Sequence, residues 1–199
     1  MSFDKYFTEA EERQLFNAVK RVKGHLAERD YCWMRIARLT GIRLMPLSKL
    51  TVGDALQAIS SDYLKIGEFN KNKKEQSIFM VKEVKVCLKK LINIQRQLVK
   101  ETDVSEFDRP LILSRHHTAL TKRNYQRRFE MWIEIAGLER GTIHWLRHTF
   151  AKRIIKRNEN TPEALLATQK LLGHANINTT TIYTSPDKET IKEMMINAS

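Results

Sequence analysis

Most of the chain repeats apolar residues at the three- and four-residue spacing of an amphipathic helix, and this pattern favours a mainly helical fold. The first such segment opens with Thr8 and has Glu11 three residues later, which predicts a capping box. Gly41 is typical of a helix end, and Thr161 begins a later helical segment that Gly173 ends. We expect helices from about residues 8, 30, 81, 120, 142 and 161, and a last helix near the carboxyl terminus.

One stretch in the middle of the chain departs from helical spacing. The segments DYLKIGEF (62–69) and QSIFMV (76–81) flank the polar run NKNKKE, which predicts two short strands in a hairpin with a lysine-rich tip. The run LILS (111–114) is a further strand candidate, and LSKLTVGDA (47–55) is interpreted as a helix end followed by a turn. The predicted fold class is mainly α with a small antiparallel β-sheet.

The charge of the chain indicates the kind of partner. It carries 35 Lys and Arg residues against 23 Asp and Glu residues, a formal net charge of +12. This excess favours a polyanion, because each phosphate that a basic side chain neutralises releases condensed counterions. A basic surface that serves solubility alone remains the alternative. The candidate DNA-binding residues are Lys73, Lys74, Arg115, Lys122, Arg123, Arg127 and Arg128.

Several features bear on the cellular compartment. No apolar run is long enough to span a bilayer, and no basic amphipathic helix offers a bulky aromatic face to lipid, so we expect no membrane partner. The amino terminus lacks the order of charge and apolar residues of a secretory signal, so a cytoplasmic protein is expected. Cys32 and Cys87 are predicted to be buried thiols rather than a disulfide.

The stretch HWLRHTFAKR (144–153) contains the first candidates for chemistry. On a helix His144 and Arg147 project towards one point, and an arginine can hold two phosphate oxygens while a histidine moves a proton near neutral pH. A zinc site is disfavoured, because Arg147 lies between His144 and His148 and the chain has no CxxC pair. The chain also lacks a G-x-S-x-G turn and a Walker-type glycine loop. A packed helix with incidental histidines remains open at this point.

The wider pattern resembles the tyrosine recombinase (phage integrase) family. IHWLRHTFA followed by LLGHANINTTTIYT is similar to the family's H-x-L-R-H-[ST]-F-A and L-G-H-x-x-x-x-T-T-x-x-Y motifs. TGIR and GEFNKNKKEQSIF resemble the family's first-arginine segment and lysine hairpin, with Lys73 and Lys74 as competitors for the lysine position. Pro46 and Gln76 stand where the family usually has a glutamate and an arginine. By resemblance the catalytic residues are Arg43, Lys71, His144, Arg147, His174 and Tyr183.

The resemblance implies a mechanism. Tyr183 would attack a DNA phosphodiester to form a 3′-phosphotyrosyl link, Arg43 and Arg147 would hold the non-bridging oxygens, and Lys71 would protonate the leaving 5′-oxygen. His144 would assist proton movement, and His174 would bind a phosphate oxygen. No cofactor and no metal are implied. The implied partners are double-stranded DNA, a homo-oligomer (a tetramer on DNA) and an accessory DNA-bending protein. The implied location is the nucleoid, in a prokaryotic cell or through a phage or mobile element that encodes the protein.

The same resemblance implies a domain organisation. Residues 1–199 are expected to form a single catalytic domain, with a core at 8–185 and a tail helix at 186–199, and without the family's separate N-terminal core-binding domain. Fimbrial-switch invertases are single-domain members of similar length. Three other functions stay open: a type IB topoisomerase-like enzyme, a catalytically inactive DNA-binding regulator on the same fold, and a helical protein-interaction domain.

Overall fold

The computed structural model describes residues 5–67, 76–99, 103–159, 161–173, 180 and 194–196. The elements named in those ranges are α1 (Glu9–Arg21), α2 (His25–Thr40), α3 (Leu44–Lys49), α4 (Val52–Ser61), β1 (Tyr63–Ile66), β2 (Gln76–Phe79), α5 (Lys82–Leu98), α6 (Lys122–Ile135), α7 (Ile143–Arg157) and α8 (Pro162–Leu172). β1 and β2 pair antiparallel, with Tyr63 opposite Phe79 and Ile66 opposite Gln76. This architecture confirms the predicted fold class.

Helix α2 lies at the centre of the fold, in contact with α1, α5 and α7. Its Trp33 is fully buried and meets the ring of Tyr125 from α6 edge-on, at a centroid distance of 5.1 Å. Cys32 on α2 and Cys87 on α5 are buried free thiols, which confirms the prediction for the two cysteines. Among the described helices, none combines the length and the apolar character that a bilayer crossing requires.

The capping signals in the sequence predicted several helix ends correctly. The Thr8 hydroxyl accepts a hydrogen bond from the Glu11 backbone N–H, and the Glu11 carboxylate accepts one from the Thr8 N–H, so the capping box of α1 is present. Thr161 caps α8, and Gly41 and Gly173 end α2 and α8 in the left-handed conformation. Helix α2 begins at His25, earlier than the predicted start near residue 30.

One local prediction was incomplete and another was wrong. The segment interpreted as a helix end and a turn does contain the end of α3 at Lys49, but it also contains the start of α4, which a second capping box between Thr51 and Asp54 initiates. The run LILS forms no strand. It makes the isolated bridge between Leu113 and Ala119 and single backbone hydrogen bonds to Leu50 and Thr118. Its three apolar side chains are all buried, and Pro110 before it has no N–H to donate. The run therefore fills the core without a neighbouring strand to pair with.

A buried carboxylate on α2 holds α6 in place. Asp30 is fully buried, and its Oδ1 accepts hydrogen bonds from the Arg29 guanidinium and from Trp33 Nε1. Its Oδ2 accepts from Trp132 Nε1 at 2.9 Å and from the Arg128 guanidinium, both on α6. Since α6 carries part of the candidate site described below, Asp30 links that helix to the centre of the fold.

The substitution Asp30→Asn is expected to lower the free energy of unfolding by about 3–5 kcal/mol, because it leaves the buried Arg29 and the partly buried Arg128 without their counter-charge. An asparagine also presents an NH₂ group to side chains that can only donate. Urea denaturation followed by circular dichroism measures the loss. The matched control is Asp108→Asn at an exposed position of a short 3-10 helix (Glu106–Asp108), which should change stability by less than about 0.5 kcal/mol. Equal effects of the two substitutions would contradict a supporting role for Asp30.

Candidate active site

A pocket of about 410 Å³ opens between the junction of α2 and α3, helix α6 and the first turn of α7. Arg43, His144 and Arg147 all line it, so the structure brings together three of the six predicted catalytic residues. Lys71, His174 and Tyr183 lie outside the described residues, as do the candidate DNA-binding residues Lys73 and Lys74. The described end of α8, at Gly173, directly precedes His174 in the chain.

The chain path at two helix ends explains how distant residues reach one pocket. Gly41 ends α2 with a φ of +64°, and a Cβ at this position would lie 2.5 Å from the Phe150 ring and 3.0 Å from Leu172. A residue with a side chain would therefore be strained and would separate α2 from α7 and α8. Directly after this turn, Arg43 takes the N-cap position of α3 with extended backbone and lines the pocket.

Arg147 is held by the carboxyl ends of two helices. Its side chain is almost fully buried, and one terminal nitrogen donates to the Gly41 carbonyl at the end of α2. The other donates to the Leu172 carbonyl at the end of α8, at 2.6 Å. Both acceptors lie at the negative end of a helix dipole, where a cation is stabilised. The guanidinium is thus fixed at the pocket before any anion binds.

His144 lies one helical turn before Arg147, on the same side of α7. The residue is exposed overall, although neighbouring protein atoms partly desolvate its ring. This partial burial, and then the positive charges of Arg147 and Arg43, lower the pKa of His144 below its ordinary value of about 6.5. The ring of His148 packs edge-on against it, with centroids 4.6 Å apart. Near neutral pH His144 is therefore uncharged and able to accept a proton.

The lowered pKa of His144 can be measured directly. We expect the NMR titration of its ring to have a midpoint below pH 6.5, and Arg43→Ala to raise that midpoint because the substitution removes a like charge. Between the lowered midpoint and about pH 6.5 the unfolded chain binds the extra proton, so this residue's contribution to stability rises with pH across that window.

The matched control for this titration removes an exposed cation that does not line the pocket. Arg123→Ala on α6 should leave the His144 midpoint unchanged. His144→Gln identifies the resonance. A midpoint at or above pH 6.5 in the unaltered protein would contradict the electrostatic account of the pocket.

Helix α6 carries the described part of the predicted basic surface. Lys122, Arg123 and Arg127 are exposed on it, and Arg115 is exposed in the preceding loop, where its Nε donates to His116. Arg128 differs from these residues. Its guanidinium donates to buried Asp30 and lies 6.0 Å from the Trp132 ring centroid, so part of its charge is engaged within the fold.

Two polar residues of α6 line the pocket and were not among the predicted site residues. Gln126 and Glu130 of α6 line the same pocket as the two arginines. They are four residues apart and both are exposed, which places them on one face of the helix. The helical spacing of α6 predicted its apolar face, but no motif indicated that the polar face would border a pocket on α7.

Known proteins match this chain over most of its length. A sequence profile described as the phage integrase family matches residues 5–190. The tyrosine recombinase XerC of Shewanella amazonensis is 34% identical over 163 residues, which cover 81% of this chain and 50% of the relative. The tyrosine recombinase XerC of Herpetosiphon aurantiacus is 30% identical over 180 residues, covering 90% of this chain and 55% of the relative. The chain spans about half the length of these relatives.

Solved structures share the fold at lower sequence identity. The crystal structure of XerA recombinase has a TM-score of 0.73 and 24% identity, and the match covers 97% of this chain and 63% of the other. The Tn1549 transposon integrase in complex with a circular intermediate DNA has a TM-score of 0.77 and 20% identity, covering 98% of this chain and 66% of the other. At these identities the likeness concerns the arrangement of helices and strands.

Proposed function

The chain belongs to the phage integrase family, and we propose that it is a tyrosine-type site-specific recombinase that cuts and rejoins double-stranded DNA through a 3′-phosphotyrosyl intermediate. One observation carries the proposal. Arg43 is far in sequence from His144 and Arg147, yet the three residues line a single open pocket. Two cations beside an uncharged histidine suit the binding of a phosphodiester and the transfer of a proton next to it.

The proposed reaction is a transesterification at one phosphorus. The Tyr183 oxygen forms a bond to the scissile phosphorus, the bond from phosphorus to the 5′-oxygen breaks, and the leaving 5′-oxygen takes a proton from Lys71. The tyrosine proton passes to His144. The number of phosphodiester bonds stays constant, so the reaction needs no nucleotide hydrolysis. Attack by the 5′-hydroxyl of another strand reverses the step and completes strand exchange.

The cations of the pocket perform the electrostatic part of this reaction. Arg147 and Arg43 stabilise the charge that accumulates on the non-bridging oxygens in the transition state, and His174 adds a hydrogen bond to a phosphate oxygen. Fixed guanidinium groups thereby supply the positive charge that divalent ions supply in many phosphoryl-transfer enzymes. Because the two helix ends already orient Arg147, little reorganisation accompanies the chemical step.

The lowered pKa of His144 agrees with its proposed role. A tyrosine hydroxyl has an ordinary pKa near 10, so at neutral pH it needs a base to become a nucleophile. An imidazole that is uncharged at pH 7 can accept that proton, whereas an imidazolium cannot. Partial desolvation, together with the two arginines that bind the phosphate, thus keeps the neighbouring histidine in the form that the reaction requires.

The DNA contacts are proposed to follow the basic surface. Lys122, Arg123 and Arg127 on α6, with Arg115 before it, would bind the phosphate backbone and set the position of the duplex over the pocket. Residues 1–199 would act as the catalytic domain within a tetramer on two DNA sites, with an accessory DNA-bending protein at the nucleoid.

A covalent-capture experiment tests the function on a pool of possible target sequences. The protein is incubated with nicked duplexes that carry a randomised core, and adducts that survive detergent are isolated and sequenced. A recombinase is expected to yield adducts at a shared sequence, linked through a 3′-phosphate. Relaxation of supercoiled plasmid without such a sequence would identify a topoisomerase-like enzyme, and salt-sensitive binding without any adduct would identify an inactive regulator.

A further inference from the structure

The last turn of α8 has four backbone carbonyls that the helix itself leaves without donors. Two of them, at Gln169 and Lys170, accept from the N–H of Gly173, which adopts the left-handed conformation at the helix end. The carbonyls of Leu171 and Leu172 remain for other groups to bind. Because this turn directly precedes His174, whatever binds these two carbonyls influences the geometry of the site.

Two side chains from separate elements supply the missing donors. Arg147 on α7 donates to the Leu172 carbonyl at 2.6 Å. Gln76, the first residue of β2, donates from its side-chain amide to the Leu171 carbonyl at 2.5 Å. A residue of the hairpin and a catalytic arginine therefore hold adjacent carbonyls of the same helix end.

The end of α8 at Gly173 lies close to both Gln76 and the other arginine. A Cβ built on Gly173 would be 3.3 Å from the Gln76 side-chain oxygen and 3.9 Å from a terminal nitrogen of Arg43. The amide, the guanidinium and the end of α8 thus converge on one point. Glycine at 173 allows this approach, since any larger residue would adopt a strained φ of +60° and crowd the amide.

We infer that Gln76 is a positioning residue for the two arginines: its amide holds the carboxyl end of α8 against Arg43 and Arg147. This role rests on the proposed function, because it concerns how the arginines meet the scissile phosphate. Loss of the amide would leave the Leu171 carbonyl without this donor and release the helix end on which Arg147 is oriented.

The chemistry of the amide fits this position. Gln76 stands where the family usually has an arginine, and both side chains offer N–H donors to a carbonyl. Glutamine provides the donor without a further positive charge beside Arg43. Gln76→Arg should therefore keep the contact with Leu171, whereas Gln76→Glu has the same shape but no donor, and its carboxylate would attract Arg43 away from the phosphate.

The test compares two DNA substrates that carry the sequence recovered by covalent capture. One has an ordinary scissile phosphate, and the other has a methylphosphonate, in which an uncharged methyl group replaces a non-bridging oxygen. The second substrate develops less negative charge, so its reaction depends less on well-placed arginines. For Gln76→Ala we expect adduct formation on phosphate to be about 10- to 100-fold slower, since a small misplacement of binding groups has large kinetic effects.

On the methylphosphonate the slowing caused by Gln76→Ala should fall to about threefold or less. Gln76→Glu should behave like the alanine variant, and Gln76→Arg should react within about threefold of the unaltered protein. The matched control is Gln97→Ala, at an exposed position of α5, which should react at the unaltered rate on both substrates. Equal slowing of Gln76→Ala on the two substrates would overturn the inference, as would no slowing on either.

A second readout does not depend on catalysis. Release of the helix end in Gln76→Ala should increase hydrogen exchange at the Gly173 amide by about tenfold, because the amide's partners lie in the released turn. Unchanged exchange at Gly173 would overturn the inference. Failure of the unaltered protein to form any adduct would instead refute the proposed function, so the two failures are distinguishable.

Discussion

Tyr183→Phe is expected to abolish detergent-resistant protein–DNA adducts, a loss of at least about 10³-fold in the rate of adduct formation. Phenylalanine lacks the hydroxyl that forms the phosphotyrosyl bond, so no other step of the reaction can compensate. The measurement is single-turnover trapping on a nicked duplex, where the short 5′-fragment diffuses away and the adduct accumulates. Persistence of an adduct in this variant would show that another residue is the nucleophile.

The substitution Tyr183→Phe should reduce adduct formation without changing DNA binding. Binding depends on the basic surface, so the affinity for DNA and its steep decrease with salt should match those of the unaltered protein. Tyr63→Phe is the matched control, because Tyr63 is an exposed tyrosine on β1, remote in sequence from the motif. This control should form adducts at the unaltered rate. A parallel loss of binding in Tyr183→Phe would instead indicate that the substitution disturbs the fold.

The fold could be predicted where the information is local. Thr8 with Glu11, and Thr161 with Gly173, mark helix ends through hydrogen bonds that span only a few residues, and the structure confirms them. Helix α4 carries the same kind of signal in Thr51 and Asp54, although this segment was interpreted as a turn. The run LILS has strand composition, yet a strand also requires an available neighbour, which no local pattern encodes.

The candidate site likewise contains residues that local spacing brings together and residues that only the tertiary fold brings together. The spacing of His144 and Arg147 predicts a shared face because both lie on one helix. Arg43 joins them through the tight approach of Gly41 to α7, and before the structure only the resemblance to a family indicated it. The contact from Gln76 to Leu171 spans 95 residues and depends on the reach of one side chain, so no sequence pattern predicts it.

Arg128 illustrates the same limit for the basic surface. From the sequence, Arg128 is one of several basic residues between 115 and 128 that are candidates for DNA binding. In the structure its guanidinium donates to Asp30, which lies 98 residues away on the central helix. The net charge of the sequence counts Arg128 and Arg127 equally. In the structure they differ, because Arg128 is paired with the buried carboxylate of Asp30. We therefore expect Arg127 to contribute more to the salt dependence of DNA binding than Arg128.

Arg147→Lys is expected to slow adduct formation by about 10²- to 10³-fold, the scale seen when one donor to a developing oxyanion is lost. Charge alone does not suffice at this position. The guanidinium donates to the Gly41 and Leu172 carbonyls with separate nitrogens and also lines the pocket. A lysine has a single ammonium nitrogen on a flexible side chain, so it cannot reproduce this planar arrangement of donors. Burial beside Arg43 would also lower the pKa of an introduced lysine.

The control for this substitution is Arg127→Lys on the exposed face of α6, where a backbone phosphate contact requires charge but no fixed fork. It should leave the trapping rate within about twofold of the unaltered protein. If Arg147→Lys also reacted within a few-fold, the two carbonyl contacts would be supporting the fold rather than orienting a catalytic group. A large loss in Arg147→Lys with unchanged DNA affinity would mean that the helix ends hold Arg147 in the geometry of the transition state.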